Sequence, residues 1–371
     1  MTTKITVLGT RGIPNVLGGV ETHCQNLYPT IKQQFDVDIC VIARSPYVNY
    51  KESQYRGVMT RALLAPKKRS LEAIVHSVLA AFTTCFDQST VVHVHAIGPG
   101  LVVPLLRLLG KKVVFTHHGP DYDRQKWGFL AKRVLLLGEK VAVKYANEVI
   151  VISEVINNMI KQKYGRDDAH LIYNGVNLSQ QLTADVINQT LARFSLQPQN
   201  YLVTVGRFVE EKGLHDLIAA YRQSGVTMPL VLVGDADHPT AYSMRLKQLA
   251  HETPNVILTG FLTGQELQTV FSQAKLFVMS SYHEGLPIAL LEAMSFSLPV
   301  VVSNIPANLE VKLAPETYFN VGDVADLSEK ITLRSKSLSV DYSEYLQRYN
   351  WQQIAQQTMA VYTAVNKSMS Q

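Results

Sequence analysis

Short β-rich runs alternate with helical stretches along the whole chain, and this alternation restricts the possible folds more than any other feature. Strand–helix–strand order favours parallel sheets covered by helices, because consecutive parallel strands need a crossover connection. The chain has 371 residues, which is more than one hydrophobic core usually serves. We therefore predict an α/β protein with two doubly wound domains that face each other across a cleft.

The β-rich runs fall into two sets of five, and Val91–His95, Leu276–Met279 and Val300–Ser303 are typical examples. The two sets meet at a break near residues 173–177. This predicts a first domain over residues 1–172 and a second over residues 173–349. A last run with helical spacing begins at Trp351, and we expect residues 350–371 to cross back and pack on the first domain.

Composition restricts the class of protein. The sequence is 47% apolar and 18% charged, as expected for a soluble globular protein. Its three cysteines form no C-x-x-C pair, which favours a reducing compartment and argues against structural zinc. The first residues enter a strand directly, without the apolar core of a signal peptide. A cytoplasmic protein is therefore predicted.

Charge is distributed unevenly between the halves. Residues 1–172 carry 22 Lys and Arg against 13 Asp and Glu, a balance of +9, whereas residues 173–371 carry 13 against 17, a balance of −4. The basic clusters of the first half contain Lys67, Lys68, Arg69, Arg124, Lys126, Lys132, Arg133, Lys140 and Lys144. Such a half can meet a nucleic acid, an anionic membrane or a phosphorylated acceptor. A solvated helix face is the alternative.

Glu284 and Glu292 lie in one run, Tyr282 to Ala293, where a Gly/Pro-containing turn precedes a helix. Pro287 suits the first helical position, since its missing N–H would have no helical partner there. The turn amides and the positive helix end predict an anion pocket, and carboxylates accept hydrogen bonds from hydroxyls. This combination suits a phosphate-linked sugar. An ordinary helix start with two solvated acids is the alternative.

The segment Gly206 to Gly213 joins the first predicted strand of the second domain to its helix. We expect Arg207 and Lys212 to lie beside one another at the helix start, aimed at one anion. An arginine fork and a mobile lysine charge together suit a diphosphate. The alternative, a solvated basic loop, fits less well because this is the binding edge of such a sheet.

The first strand leads into Gly9 and then the pair Gly18-Gly19, which lets backbone approach a ligand at a helix start. A nicotinamide-dinucleotide site fits poorly, because G-x-G-x-x-G spacing is absent and strand two ends in Ala43-Arg44 rather than an acid.

Histidines cluster at the ends of two predicted strands. His93 and His95 share one face of a strand, and His117-His118 follows the next. Four histidines are compatible with a metal, but no carboxylate or cysteine spacing supports one, and core side chains are the simpler interpretation of His93 and His95. His118 precedes a Gly-Pro turn at a strand end, where it can bind an acceptor hydroxyl or position a sugar.

Three D-x-D triplets occur, at residues 36–38, 121–123 and 235–237, and in some sugar transferases such a triplet holds a divalent metal. Only Asp235 and Asp237 follow a strand, and Arg207 and Lys212 already provide positive charge there. We predict no metal and no cofactor.

Five motifs occur in order along nearly the whole chain. They are Gly18-Gly19, His118-Gly119, Tyr173-Asn174-Gly175-Val176, Gly206-Arg207 through Lys212-Gly213, and Glu284 with Glu292. Together with the closing helix at Trp351 they resemble the family 4 retaining glycosyltransferases. The resemblance implies the GT-B architecture, with a nucleotide-sugar donor held mainly by the second domain and the acceptor by the first.

The resemblance also implies roles for individual residues. Arg207 and Lys212 would hold the donor diphosphate, Glu284 the transferred sugar and Glu292 the ribose, with His118 at the reacting sugar. The expected catalytic residues are His118, Arg207, Lys212 and Glu284. The expected donor-binding residues are Gly18, Gly19, Phe261, Leu262, Gly285, Leu286, Pro287 and Glu292. Asp121 is expected to contact the acceptor.

The implied reaction transfers a sugar with retained configuration, and the leaving diphosphate takes the acceptor's proton. The run from Gly9 to Thr22, with His118 to Asp121, looks like a bacterial subgroup that includes rhamnosyltransferases of surface polysaccharide assembly. This suggests a saccharide or lipid-linked acceptor, and attachment of the basic first domain to an anionic membrane at the inner face of the cell membrane.

Two other interpretations share this architecture. One is a catalytically inactive nucleotide-sugar-binding scaffold, and the other is an enzyme, a sugar-nucleotide 2-epimerase. The intact Glu284, Glu292, Arg207 and Lys212 disfavour the first, and missing acid/base residues disfavour the second. A nucleic-acid binder is disfavoured because aromatic stacking motifs are absent and the second half is acidic.

Overall fold

The computed structural model describes residues 3–16, 18–66, 69–120, 122, 128–177 and 182–367. The chain divides into two compact units, residues 1–175 with 348–371, and residues 176–347. The sequence placed these boundaries after residue 172 and at residue 350. Each unit contains one mainly parallel sheet flanked by helices, so the predicted α/β class with two doubly wound domains is confirmed.

The first unit has an eight-stranded sheet over the residues that the structure describes. Its strands are β1 (Thr3–Leu8), β2 (Val37–Arg44), β3 (Glu52–Tyr55), β4 (Val58–Leu63), β5 (Val91–His95), β6 (Lys112–His117), β7 (Glu148–Val151) and β8 (His170–Leu171). Its helices are α1 (Gly19–Gln34), α2 (Arg69–Thr83), α3 (Val103–Leu108), α4 (Phe129–Tyr145), α5 (Glu154–Tyr164) and α14 (Trp351–Lys367).

The sheet order is β3-β4-β2-β1-β5-β6-β7-β8, and every neighbouring pair is parallel except β3 with β4. Strands β3, β4 and β8 were not among the predicted runs. The polar residues of β3 are mostly exposed and β8 has two residues, so neither offers the apolar pattern from which a strand is recognised. By contrast β5 is buried throughout, and its predicted bounds are confirmed.

The second unit has a six-stranded sheet in its described part. Its strands are β9 (Leu202–Val205), β10 (Leu230–Val233), β11 (Val256–Gly260), β12 (Leu276–Met279), β13 (Val300–Ser303) and β14 (Tyr318–Phe319). Its helices are α6 (Ala184–Arg193), α7 (Leu214–Ser224), α8 (Ala241–His251), α9 (Gly264–Ser272), α10 (Ile288–Ser295), α11 (Pro306–Leu309), α12 (Val324–Arg334) and α13 (Ser343–Leu346).

Local capping signals start several of these helices. Ser153 and Thr183 accept a backbone N–H at the starts of α5 and α6. Thr240 forms a capping box with Ser243 at α8, and Asp323 caps α12 through two N–H groups. Each cap satisfies backbone donors that have no partner inside the helix.

Helix α14 returns to the first unit, as predicted. It packs on α1, and Ile354 and Tyr362 join the core that lies against β1 and β5. At its start, the Trp351 ring lies so close to Gly175 that a Cβ there would come within 2.3 Å of the indole. The glycine of the 173–176 motif therefore provides room for the helix. Among the described residues, no helix combines the length and hydropathy needed to cross a bilayer.

Candidate active site

In the second sheet, β9 and β12 are neighbours, but the chain leaves them in opposite directions. The order β11-β10-β9-β12-β13-β14 places the connections after these two strands on opposite sides. A crevice forms at such a switch point, beyond the carboxyl ends of the strands. The loop after β9 (206–213) and the loop after β12 (280–287) lie at this crevice.

A partly buried ion pair joins the two loops. The Lys212 Nζ lies 2.5 Å from Glu284 Oε1, and the Ser281 hydroxyl donates to the same oxygen at 2.7 Å. The side chains are only 21% and 12% exposed, so water screens the pair poorly. The structure thus brings together two of the predicted catalytic residues, although 72 positions separate them in sequence.

Backbone contacts fix the same two loops. The Ser280 hydroxyl donates to the Lys212 carbonyl at 3.0 Å, and the Tyr282 N–H donates to the Glu211 carbonyl at 2.8 Å. Gly213 has φ +58°, and a Cβ there would lie 2.2 Å from the Ser280 carbonyl oxygen. Only glycine permits both this conformation and this approach.

Arg207 lies on the same loop as Lys212 but engages a different acid. Its Nη1 is 3.1 Å from Asp237 Oδ2, and the side chain is 36% exposed. Asp235, two residues earlier, pairs with Lys247 at 2.8 Å. Both acids of this D-x-D triplet are therefore held by cations of the protein itself.

Glu292 lies on the second turn of α10. The side chain keeps some solvent contact, but surrounding protein dominates, and this burial raises the pKa of Glu292 from 4.5 to about 7. The prediction that Pro287 is the first helical residue is wrong by one position. Pro287 is the capping residue, with ψ 73°, and α10 begins at Ile288, because the Pro287 carbonyl accepts the first helical hydrogen bonds.

The remaining predicted donor residues differ in exposure. Phe261 is 44% exposed after β11, whereas the next residue, Leu262, is buried. Leu286 and Pro287 are buried, and Gly285 is partly exposed between Glu284 and these two side chains. An exposed aromatic ring beside a buried leucine can cover one face of a flat base.

The first sheet has its own switch point, between β1 and β5. Gly9 ends β1 with φ +100°, and a Cβ there would lie 2.1 Å from the His95 carbonyl oxygen. Gly18 precedes α1, and a Cβ at this position would meet the carboxylate of Glu21 at 2.0 Å. That carboxylate accepts the Arg11 N–H at 2.9 Å, which ties the Gly9 loop to the start of α1 at Gly19.

A hydrogen-bonded group of histidines and tyrosines fills this switch point. His95 Nδ1 lies 2.8 Å from His118 Nε2, and His95 Nε2 contacts the Tyr28 hydroxyl at 2.5 Å. His93 continues the group through Tyr28 and through Tyr362 of α14, at 3.0 and 2.6 Å. Neither His23 nor Tyr28 was singled out in the sequence, because nothing in the spacing of α1 distinguishes them from core residues.

His23, His95 and His118 also satisfy the geometry of a metal site. One nitrogen from each lies within 4.8 Å of the others. Two of these side chains already share a hydrogen bond, which uses a lone pair of one imidazole and the proton of the other. A metal would have to break that bond, so the observed arrangement fits a hydrogen-bonded group better than a preformed metal site.

His117 points to a separate buried cluster. Its Nδ1 accepts the Gly119 N–H at 3.0 Å, so its Nε2–H donates to Glu139 at 2.9 Å. Burial alone would raise the pKa of Glu139, but hydrogen bonds from His117, Lys163 and Tyr164 outweigh it and lower the pKa to about 2. This cluster fixes the turn in which His118 lies. No local pattern in the sequence marks this cluster, since His117, Lys163 and Tyr164 are each 22 or more positions from Glu139.

Some predicted residues lie outside the described part of the chain. These are Asp121 and Asp123 of one D-x-D triplet, and Lys67, Lys68, Arg124 and Lys126 of the basic clusters. Their predicted roles therefore stay predictions.

Two family models match the sequence. The model described as "Glycosyl transferases group 1" matches residues 189–348, and the model described as "Glycosyltransferase Family 4" matches residues 17–180. The chain belongs to glycosyltransferase family 4. The resemblance inferred from the motifs is thereby confirmed, and so is glycosyltransferase activity; the rhamnosyltransferase subgroup stays a prediction.

Curated relatives span most of the chain at low identity. The alpha-maltose-1-phosphate synthase of Mycolicibacterium smegmatis is 26% identical, over 95% of this chain and 97% of its own. The O-antigen chain mannosyltransferase RfbU of Salmonella typhimurium is 29% identical, over 60% of this chain and 59% of its own.

Solved structures share the GT-B fold of this family 4 glycosyltransferase. Sucrose-phosphate synthase from Thermosynechococcus elongatus superposes with a TM-score of 0.82 at 21% identity, covering 99% of this chain and 100% of that one. Anabaena HepE in complex with UDP and glucose gives a TM-score of 0.76 at 17% identity, covering 98% and 100%. The predicted GT-B fold is confirmed.

Proposed function

We propose that this glycosyltransferase moves a sugar, with retention and without a metal, from a nucleoside diphosphate sugar to a saccharide or lipid-linked acceptor of bacterial surface polysaccharide assembly. The observation that carries the donor assignment is the Lys212–Glu284 pair at the switch point of the second sheet. The name of the O-antigen chain mannosyltransferase RfbU supports the choice of acceptor class.

In this proposal the second unit holds the donor. Lys212 and Arg207 bind the diphosphate, and Glu284, released from part of its contact with Lys212, accepts hydroxyl groups of the sugar. Glu292 accepts the ribose hydroxyls and Phe261 covers the base. Each role follows from the charge or exposure of the side chain at the carboxyl edge of the sheet.

Retention is proposed without a covalent intermediate. Glu284 pairs with Lys212 at the proposed diphosphate site, and the Lys212 ammonium and the Ser281 hydroxyl both donate to its Oε1, which lowers the nucleophilicity of that oxygen. The leaving diphosphate can instead take the acceptor's proton on the same face. The protein then provides positioning and stabilises the charge that develops on the diphosphate.

Metal independence is proposed because cations of the protein occupy the place of a metal. Lys212 and Arg207 supply positive charge at the donor site, and both acids of the 235–237 triplet are already paired. A divalent ion would compete with Arg207 for Asp237 and with Lys247 for Asp235.

A thermal-shift panel tests the donor site. UDP, GDP, ADP, dTDP and NAD would each be added with EDTA and again with magnesium. A ligand at 100 times its dissociation constant stabilises by about 2.7 kcal/mol. We expect one nucleoside diphosphate to raise the melting temperature equally with and without metal. A shift that needs magnesium would contradict metal independence, and a shift by NAD alone would contradict the donor assignment.

The stereochemistry has a separate test. The anomeric configuration of the product, measured by NMR with the nucleotide sugar that the panel selects, should equal that of the donor. An inverted product would overturn the retaining mechanism while leaving the donor site intact.

We also propose that the first unit docks on an anionic membrane. The outward face of α4 carries Phe129, Leu130, Arg133, Leu137, Lys140 and Lys144, all exposed and within one helical arc. Helix α2 adds a second exposed apolar stripe, Val75, Leu79 and Phe82. Both helices pack on the turn at Pro99–Val102. Apolar residues flanked by cations on one face are typical of helices that lie in a lipid interface.

Sedimentation with vesicles tests the docking surface. The double variant Arg133→Glu/Lys140→Glu should lose binding to anionic vesicles at low salt, whereas Arg222→Glu, an exposed cation of α7, should not. Equal binding of the wild type to neutral and anionic vesicles would contradict the electrostatic part of this proposal.

A further inference from the structure

The hydrogen bond between His95 and His118 determines which nitrogen of His118 is free. It joins His95 Nδ1 to His118 Nε2, so the other nitrogen of His118, Nδ1, is the one that can reach a ligand. One proton lies between the two rings when both are neutral. If His95 supplies it, His118 Nδ1 carries a hydrogen and is a donor; if His118 supplies it, Nδ1 is an acceptor.

The neighbours of His95 decide between these alternatives. The Tyr28 hydroxyl is 2.5 Å from His95 Nε2 and 3.0 Å from His93 Nδ1, and the Tyr362 hydroxyl is 2.6 Å from His93 Nδ1. Each tyrosine thus has one imidazole as its nearer partner. The two hydroxyls also hydrogen-bond to each other, so the choice rests on distance and acidity. A phenol is a stronger acid than the N–H of a neutral imidazole, and we therefore assign the Tyr28 proton to the contact with His95 and the Tyr362 proton to the contact with His93.

The remaining protons follow from these two donations. His93 Nε2–H donates to the Thr116 hydroxyl at 2.7 Å. His95 accepts at Nε2, so its proton lies on Nδ1 and is donated to His118 Nε2. His118 must then carry its own proton on Nδ1.

We propose that Tyr28 and His95 hold His118 as the neutral Nδ1–H tautomer, which presents an N–H donor to an oxygen of the bound sugar. Tyr28 and His95 are positioning residues that act through His118. The assignment of a sugar oxygen rests on the proposed sugar transfer and on the place of His118 at the switch point of the first sheet, whereas the tautomer itself does not.

The charge states of these side chains agree with this arrangement of protons. Burial, followed by neighbouring histidines, lowers the pKa of His95 and His118 well below the usual value, and burial lowers that of His23 to about 4. The titratable groups around the site are His23, Cys24 and Tyr28 of α1, His93 and His95 of β5, His117 beside His118, and Tyr362 of α14. Two carboxylates border this set and both already have donors: Glu139 is held by His117, Lys163 and Tyr164, and Glu21 by the Arg11 N–H. Among the described residues, no hydrogen bond joins His118 to a carboxylate.

The backbone at His118 is fixed independently of this network. His117, its neighbour, is held between the Gly119 N–H and Glu139. A change at Tyr28 or His95 is therefore expected to alter the protons of His118 more than its position.

Two-bond ¹H–¹⁵N correlation spectra of ¹⁵N-histidine-labelled protein at pH 7.5, without ligand, would test the tautomer. We expect His118 to show a protonated Nδ1 and an unprotonated Nε2. Resonances are assigned by substituting each of the 11 histidines in turn. A protonated Nε2, or a charged ring, in the wild type would overturn the proposal.

Variants of His95 test whether its Nδ1–H determines the tautomer of His118. In His95→Leu no donor faces His118, so its spectrum should change to the Nε2–H pattern that free neutral histidine prefers. In His95→Asn the amide NH₂ replaces Nδ1–H, and the wild-type pattern should persist. Tyr201→Phe, which removes a buried hydroxyl bonded to a carbonyl in the second unit, is the matched control and should change nothing. An unchanged His118 in His95→Leu would overturn the role of His95.

Tyr28→Phe tests whether the Tyr28 hydroxyl determines this arrangement of protons. Without the phenol, His95 loses the donation at Nε2, so the population of His118 Nδ1–H should fall. An unchanged population would overturn the role of Tyr28. Zinc is added in a parallel titration: if one equivalent displaces the signals of His23, His95 and His118 together, the group is a metal site and the proposal is wrong.

Activity measurements separate this inference from the proposed function. His95→Leu should lower kcat about 3- to 10-fold, the equivalent of one neutral hydrogen bond, with little change in the KM of the donor. His95→Asn should restore most of the rate. If the spectra behave as expected and kcat does not change, the tautomer stands and the contact of His118 with the sugar is wrong.

Discussion

The two sheets share the same switch-point topology, but their crevices carry opposite chemistry. In the first unit, neutral imidazoles and phenols hydrogen-bond in a buried group around His95. In the second, the same position holds cations and carboxylates that keep partial access to solvent, with Lys212 and Glu284 at the centre.

The backbone of the two crevices is nevertheless built alike. Gly9 and Gly213 both have positive φ, and each lies within 2.2 Å, measured from an added Cβ, of a carbonyl oxygen on the neighbouring strand end. The comparison teaches that the fold provides a crevice and a close backbone contact in both units. The side chains then determine whether the crevice suits an anion or a neutral group.

The largest effect is expected from Lys212→Ala. It removes the least exposed cation of the charged crevice, so kcat/KM should fall about 10²- to 10³-fold, as when one preorganised donor is lost. Steady-state kinetics measures this. Lys247→Ala, a lysine paired with Asp235 but 43% exposed, is the control and should retain most activity. Near wild-type turnover of Lys212→Ala would show that the charged crevice does not contribute to the reaction.

Glycine replacements test the shared backbone. In Gly225→Ala the added Cβ meets no atom within 4 Å, so the left-handed conformation alone should cost about 1–2 kcal/mol. Gly213→Ala should be more destabilising, because its Cβ lies 2.2 Å from a backbone oxygen. Thermal unfolding midpoints compare the two. Equal midpoints would show that the loop shifts without cost.

A matching pair of replacements exists in the first unit, where Gly110 follows α3 and Gly9 lies at the neutral crevice. Gly110→Ala adds strain only, whereas Gly9→Ala also brings a Cβ to 2.1 Å from the His95 carbonyl oxygen. We expect the same ranking of midpoints as in the second unit. A different ranking would show that the likeness of the two backbones is superficial.

Arg207→Ala should have a smaller effect than Lys212→Ala. The side chain is 36% exposed and paired with Asp237, so we expect about a 10- to 100-fold loss in kcat/KM, in the range of a hydrogen bond to a charged group. Kinetics at low and high salt checks this, because an exposed cation should lose more of its contribution on screening. A loss of kcat/KM larger than that of Lys212→Ala would show that Arg207 contributes more to the reaction than Lys212.

Glu292→Gln should produce the smallest change, visible in pH dependence. Ribose hydroxyls donate to an ionised carboxylate, and the pKa is about 7, so nucleotide affinity of the wild type should fall about tenfold from pH 8 to pH 6. The variant should show a flat profile. Isothermal titration with the nucleotide selected by the panel measures this, and an equal slope in both proteins would contradict the ribose contact.

The same pKa has a consequence for stability. Between pH 4.5 and 7 the native state holds a proton that the unfolded chain has released. The stability that Glu292 contributes is therefore complete below pH 4.5 and is lost as the pH rises through 7. The difference in unfolding midpoint between wild type and Glu292→Gln should follow this direction.

Much of this could be predicted from the sequence. Short, mostly apolar runs mark β5, β12 and β13 because burial on both faces leaves a local pattern. The same pattern places the 206–213 and 280–287 loops at strand ends. Short polar strands such as β3 leave no such signal, and a turn residue such as Pro287 can be placed only to within one position.

The tertiary structure alone decided which side chains meet. Lys212 and Glu284 become partners because β9 and β12 pair, and Tyr362 reaches His93, 269 positions away, because α14 returns to the first core. The sequence determined the elements, since strand and helix periodicity depend on neighbouring residues. Strand order and helix docking depend on the packing of distant residues, and they determined that one crevice is charged and the other neutral.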